Sequence, residues 1–404
     1  MAAHVRSPSH TRELHGEMRL ASRMGVLGTE TAFETLAKAK ALEAEGRSII
    51  HLEIGEPDFD TPDHISAAGK KAIDDGFTHY GPSPGLPEAR KAVAKFVSRR
   101  QGYDVNPDNI VITPGGKPIM FFTMLALIEE GDEVIYPNPG FPIYESMINF
   151  SGGAPIPLPL NEEAGFTADI DYLESKITNR TKLIIVNSPN NPCGSVIPHS
   201  DLEQIAELAI KNDLLVLSDE IYHDFYFEGE HTSITQVPGM RERTIILDGF
   251  SKSYAMTGWR LGWGVIPDPL VEPFSRLMTN SVSASTSFIQ IAGIAALEGT
   301  QQPVTDMVAE FKKRRTVVVD GLNSVDGITC QTPKGAFYVF PNIRGTGMTS
   351  REFADACMYK AGVALLPGTA FGEYGEGYAR LSFANSEENL LQGISQIKEM
   401  LAAR

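Results

Sequence analysis

The sequence predicts an α/β protein, a mostly parallel sheet flanked by helices with a second, smaller α+β domain, and three observations predict it. Short apolar runs alternate with helical patterns as far as about residue 268. Longer helical stretches take over beyond that point. At 404 residues the chain also exceeds what one hydrophobic core organises.

Taken in chain order, residues 1–28 are polar and without period, which marks an N-terminal arm. TETAFETLAKAKALEAEGR reads as an amphipathic helix capped by Thr29 or Thr31 and closed by Gly46. The strand runs are IIHLEI (49–54), NIVIT (109–113), EVIYP (133–137), KLIIVN (182–187), LLVLS (214–218), TIILDGF (244–250) and LGWGVI (261–266). GAFYVF (335–340), VALLP (363–367) and YARLSFA (378–384) are the late strands. The expected division is an arm of 1–28, a large domain of 51–294 and a small domain of 29–50 and 295–404. The boundary near 290–300 falls within a continuous helix, and no internal repeat or low-complexity tract interrupts the chain.

Composition narrows the function. With 51 acidic against 35 basic residues the net charge is −16, which opposes nonspecific binding to nucleic acid or an anionic membrane. An anionic ligand therefore needs local positive groups. Cys193, Cys330 and Cys357 are an odd set without CxxC spacing, so neither a disulfide framework nor a zinc or other metal site is expected. No apolar run reaches the roughly 20 residues of a membrane helix. MAAHVRSPSHTRELHGEMRL lacks the core of a signal peptide, and the reading is a cytoplasmic protein, with organelle targeting the alternative that its Arg, Ser and His leave open.

Lys252 stands just after an apolar strand, where open α/β sheets present ligands. Alone, a loop lysine is solvated surface. Its neighbours change that reading: Ser251 offers a hydroxyl, Gly249 lets backbone approach closely, and Arg260 supplies a fork suited to phosphate. Seven motifs occur in order: HLEIGEPDF (51–59), HYGPSPGLPEAR (79–90), ITPGGK (112–117), VNSPNNPCG (186–194), SDEIYHDF (218–225), GFSKSYAMTGWRLGWG (249–264) and ARLSFANSEENL (379–390). Together they resemble the class I/II aminotransferases, within the fold type I pyridoxal phosphate enzymes, over nearly the whole chain. The branch with prokaryotic aspartate aminotransferases is the nearest in motifs.

The resemblance implies pyridoxal 5′-phosphate as cofactor, held by Lys252 as a Schiff base. It also implies a carboxylate, Asp219, against the protonated ring nitrogen that makes the ring an electron sink. Asp219 also suits a helix N-cap. Asn191 and Tyr222 match positions that hydrogen-bond the ring oxygen, although SPNNPCG would equally form a plain turn. TPGGK, with Gly116 and Lys117, matches the phosphate cradle at a helix start, completed by Ser251 and Arg260. Phe141 matches the aromatic ring stacked on the cofactor, or else packs in the core.

Tyr80 matches a tyrosine that reaches the neighbouring subunit's phosphate, which implies a homodimer with shared active sites. Arg380 matches the arginine that grips the substrate α-carboxylate, with Gly55 adding a backbone donor beside it. Gly249 and Cys193 depart from the commoner Ser and Thr of the pattern. Lys117 either meets the distal carboxylate of a dicarboxylic substrate or only adds charge near phosphate.

The implied reaction moves an amino group from an L-amino acid, aspartate first, to a 2-oxo acid such as 2-oxoglutarate. The freed Lys252 amine shifts the proton, with ping-pong kinetics. A β-lyase or amino-acid oxidase of the same fold would carry nearly the same motifs. An effector-sensing regulator would need a DNA-binding domain and a basic footprint that the chain does not display.

Overall fold

The computed structural model describes residues 20–403, so residues 1–19 of the expected arm lie outside the described residues. The strands are β1 (Ile50–His51), β2 (Ile110–Thr113), β3 (Glu133–Asn138), β4 (Ala154–Asn161), β5 (Thr167–Ala168), β6 (Thr181–Asn187), β7 (Leu215–Asp219), β8 (Thr244–Gly249), β9 (Gly262–Val265), β10 (Tyr338–Val339), β11 (Val363–Ala364), β12 (Leu366–Pro367) and β13 (Ala379–Ser382). Helices α1 (Thr31–Ala44), α2 (Asp63–Asp74), α3 (Pro87–Gln101) and α4 (Lys117–Leu127) precede β3, and eight more follow.

The main sheet has eight strands in the order β2-β9-β8-β7-β6-β3-β4-β5. Strands β8, β7, β6, β3 and β4 run parallel, while β9 is antiparallel to both β8 and β2. Alternation along each strand splits the core. Leu183, Ile185, Leu217 and Leu247 pack on one face with Ile119, Tyr144 and Phe274. Ile184, Val186 and Val216 pack on the other with Leu202, Ile205 and Ala206. A sheet covered on both faces explains strands that read as nearly unbroken apolar runs.

The antiparallel course of β9 matters for the site, because residues 250–261 then join two neighbouring strands and both ends of that segment are pinned. Phe250 N–H donates to Leu261 O at 3.2 Å. A Cβ on Gly249 would meet the Cα of Gly262 at 2.9 Å, and one on Gly262 would overlap the backbone of Gly115 and Gly116. Three stretches of backbone thus lie closer than any side chain permits. This stack brings the turn before α4 against the segment that carries Ser251 and Lys252.

Several expectations are corrected. IIHLEI contributes only Ile50–His51, which pairs with β11 and does not join the main sheet. Glu30 and not a threonine is the N-cap of α1, without a side-chain cap, while Gly46 at φ +89° follows its end as expected. Residues 290–300 are not one continuous helix, because Ser287–Glu298 ends before Gln302–Asn323 begins. A Cβ on Gly299 would crowd Ala295 O at 2.5 Å and His64 at 2.8 Å, so the interruption needs its glycine.

Strands β4 and β5 escape the sequence pattern. Pro155, Pro157 and Pro159 occupy alternate positions of β4, so all three missing N–H groups lie on the same side of the strand. That side faces the sheet edge, where β5 pairs only with Leu160 and Asn161. The chain's end forms a three-stranded antiparallel sheet, β10-β13-β12, and β13 carries Arg380.

Candidate active site

The carboxyl ends of β2, β3, β6, β7 and β8 open into a cavity of about 900 Å³. Gly55, Gly116, Lys117, Phe141, Asn191, Asp219, Tyr222, Ser251, Lys252, Arg260 and Arg380 all line it. Tyr80 does not: it stands 93% exposed and meets none of them within one chain.

Lys252 Nζ donates to Gly55 O at 2.5 Å and sits 5.8 Å from the centre of the Phe337 ring. Burial lowers its pKa to about 8, with Arg380 and Arg260 acting in the same direction against Glu56. Near neutrality a useful fraction of this amine is therefore unprotonated and nucleophilic. Gly55, expected as a donor, meets Lys252 through its carbonyl. It must be glycine because a Cβ would overlap the Tyr338 hydroxyl.

Asp219 closes β7 and is 6% exposed. It accepts from Tyr144 Oη at 2.6 Å and from Ile221 N–H at 3.3 Å, and Asn187 Nδ2 holds its backbone carbonyl at 3.1 Å. Among the described residues it forms no ion pair. Burial raises its pKa to about 6, against the two hydrogen bonds.

Tyr222 Oη and Tyr338 Oη share a hydrogen bond of 2.7 Å. Arg380 is 4% exposed, donates to Asn191 Oδ1 at 3.2 Å and to Glu53 O, and lies 4.5 Å from the Tyr338 ring centre and 4.9 Å from that of Phe371. It forms no ion pair among the described residues, its Nε has no partner, and burial lowers its pKa. A buried guanidinium without an acid is costly unless something anionic completes it.

Gly116 is the N-cap of α4, which no side chain caps; Pro118 has no N–H and Ile119 N–H bonds to Gly116 O at 3.0 Å, so the N–H groups of Gly116 and Lys117, both lining the cavity, are the ones left to an anion. Arg260, at φ +55°, lays its guanidinium over Gly115, where any Cβ would overlap it, and donates to Thr257 O at 2.8 Å. A non-glycine residue held in the left-handed region is strain of the kind that clusters at ligand clamps. Phe141 packs edge-on against Tyr144 at 5.7 Å between ring centres, and Lys117 Nζ is 5.6 Å from the Phe141 ring. Lys117 forms an ion pair with Glu30. Cys193 is core, packed with Phe340, Phe371 and Tyr378, so its departure from threonine alters packing and not the cavity lining.

Sequence reasoning missed Tyr144, Asn187, Tyr338 and Glu30. Tyr144 was within reach, since it follows Phe141 by three residues in FPIY, close to one helical turn. Tyr338 lay inside a run read only as strand. Asn187 and Glu30 carried no separable signal.

The aminotransferase class I and II family pattern matches residues 47–397. The aspartate aminotransferase of Pyrococcus abyssi is 41% identical over 88% of this chain and 92% of its own length. The aromatic-amino-acid aminotransferase 2 of Thermococcus litoralis is 39% identical over 95% of this chain and 98% of its own. Among solved structures, the Thermus thermophilus aspartate aminotransferase with maleate superposes with a TM-score of 0.90 at 35% identity, covering 95% of this chain and all of that one (100%). Family members depend on pyridoxal phosphate. Family pattern, relatives and fold agree across nearly the whole chain, and it belongs to the class I and II aminotransferases as a pyridoxal-phosphate-dependent transaminase of fold type I.

Proposed function

We propose that this cavity is the transamination site and that its residues divide the work as follows. Lys252 carries the cofactor and moves the substrate's Cα proton. Asp219 holds the protonated ring nitrogen, while Asn191 and Tyr222 meet the ring oxygen. Phe141 covers the ring. Gly116, the backbone of Lys117, Ser251 and Arg260 bind the phosphate, and Arg380 grips the substrate α-carboxylate, with Gly55 and Asn191 beside it.

One observation carries the reading: a single cavity holds a buried carboxylate without a cation, a buried guanidinium without an acid and an amine with a lowered pKa. An uncapped helix start beside Arg260 adds the anion cradle. These gaps fit a group that is anionic at its phosphate and cationic at its ring. Bound there, pyridoxal phosphate supplies the sink for the electron pair released at Cα. Arg380 fixes the substrate by two points, which orients the Cα–H bond toward Lys252, and the lowered pKa of Lys252 lets it accept and return that proton at working pH.

The same reading places the enzyme in the cytoplasm, consistent with three free, buried cysteines. It makes the functional unit a homodimer in which Tyr80, too exposed to serve its own chain, reaches a partner's phosphate site. Residues 51–294 then form the cofactor domain, and 29–50 with 295–404 the domain that carries Arg380. Aspartate is the first donor to test and 2-oxoglutarate the first acceptor, because similar proteins bear that name. Purified holoenzyme incubated with aspartate, glutamate, alanine, phenylalanine or arginine should pass the amino group to 2-oxoglutarate. Release of ammonia or peroxide without transfer to any keto acid would overturn the reading in favour of a lyase or oxidase.

A further inference from the structure

Two of the cationic side chains that line the cavity differ in standing. Arg380 has no acid partner among the described residues, whereas Lys117, the first residue of α4, is held by Glu30. Glu30 is the N-cap residue of α1, yet its carboxylate does not serve its own helix. It reaches across to Lys117, with its side chain 18% exposed against 47% for the lysine. Both residues line the cavity that contains Arg380. Phe33 and Leu36, on the first turns of α1, line it beside them.

We propose that Glu30 is a specificity-determining residue: by holding Lys117 from within the chain it occupies the partner that a substrate's distal carboxylate would take, so the site favours amino acids with uncharged side chains over aspartate and glutamate. The proposal rests on the reading of Arg380 as the α-carboxylate anchor. A dicarboxylic substrate that reaches Lys117 meets the negative charge of Glu30 and binds there only by displacing it, since two carboxylates close together repel. An aromatic or aliphatic side chain needs no such displacement and finds Phe33, Leu36 and Phe141 as apolar lining. This reverses the order of donors that Lys117 alone suggests. It also uses the repulsive half of discrimination, which costs a wrong ligand more than it adds for a right one.

The test uses holoenzyme and the first half-reaction alone, followed by cofactor absorbance, because 2-oxoglutarate is itself dicarboxylic. The quantity read is the ratio of kcat/KM for aspartate to that for phenylalanine. Glu30→Gln should raise this ratio at least fivefold over wild type. A smaller rise, no change or a fall overturns the proposal. In a Lys117→Gln background the same substitution should raise the ratio by less than half as much, since only the repulsion is then relieved, and an undiminished fivefold rise there would show that Glu30 acts without Lys117 and also overturns the proposal.

Calorimetry gives a second readout without turnover. Glu30→Gln should tighten maleate binding at least fivefold relative to 3-phenylpropionate, and an unchanged relative affinity counts against the proposal. An active wild type with an unchanged ratio sinks this proposal alone. Failure of every donor would sink the reading of the cavity and this proposal with it.

Discussion

Asp219 and Glu220 are consecutive, both buried and both acidic, yet the fold treats them in opposite ways. Asp219 faces the cavity and receives only a phenol and an amide. Glu220 faces the other way and is saturated: Arg100 Nη2 at 2.9 Å, His231 Nε2 at 3.0 Å, Ser233 Oγ at 2.5 Å, Ser218 Oγ at 3.0 Å and Gln101 Nε2 at 3.2 Å. Arg100 extends that network to Asp248 at 2.7 Å, and His223 joins Asp248 to Asp224 at 3.0 Å each. Burial raises both acids. For Asp219 it prevails, giving about 6, while for Glu220 the charges and hydrogen bonds of His231, Arg100 and Ser233 outweigh it and hold the group at about 2. The lesson is that the cations of this region are placed where structure needs them and withheld where a ligand must supply one.

The contrast can be broken most directly by substitution on each side. Asp219→Asn should cut transamination by at least about 10³-fold, since it removes the preorganised negative charge on which the proposed sink depends, without lowering the denaturation midpoint. Glu220→Gln should do the reverse. Stripping a carboxylate from a buried ion network costs about 3 kcal/mol, read as a lower denaturation midpoint, while the folded fraction keeps its turnover per site. Equal loss of activity from both changes would erase the distinction.

A second test uses pH on cofactor-free protein. Asp219, raised to about 6, binds its proton more tightly when folded than when unfolded, so its contribution to stability falls as pH climbs from about 4 to about 6. Glu220, lowered to about 2, contributes stability that is complete above about 4.5 and is lost as pH drops toward 2. Unfolding free energies at pH 4 and pH 7 should therefore differ between wild type and Asp219→Asn by about 3 kcal/mol, with the variant flatter. Identical slopes would mean that Asp219 is not the group whose proton is held.

The smallest effect expected is that of Tyr144→Phe. Losing the 2.6 Å hydrogen bond to Asp219 should cost about 1 kcal/mol of stability and carry the Asp219-linked fall in the apo-protein's stability on to higher pH, because that bond favours the ionised carboxylate. A shift to lower pH would contradict the assignment.

The two sides of β7 were not equally legible in the sequence. The cavity side was, because its residues sit in short motifs at strand ends where local chemistry is dense: SDEIY, NNPCG and GFSKS. The buried network was not, since Arg100, His231 and Asp248 are far apart in sequence and each alone reads as an ordinary surface charge. The same reason hid Tyr338, which reaches Tyr222 across 116 positions. Fold class came through because periodicity is local. The fate of IIHLEI did not, since which strand a short apolar run joins is decided by tertiary pairing.

The glycine stack at Gly249, Gly262, Gly115 and Gly116 has a bearing on how this enzyme can diversify. The entrance of the cavity, at Glu30 and along α1, can change without touching the backbone contacts that set the turn before α4 against the segment of Lys252, because α1 does not belong to the stack. At the stack itself a single added methyl group would push the turn before α4 away from the segment of Lys252. Variation at the rim is therefore uncoupled from the packing around Lys252, a separation of parts that suits a scaffold whose similar proteins carry the names of different substrates.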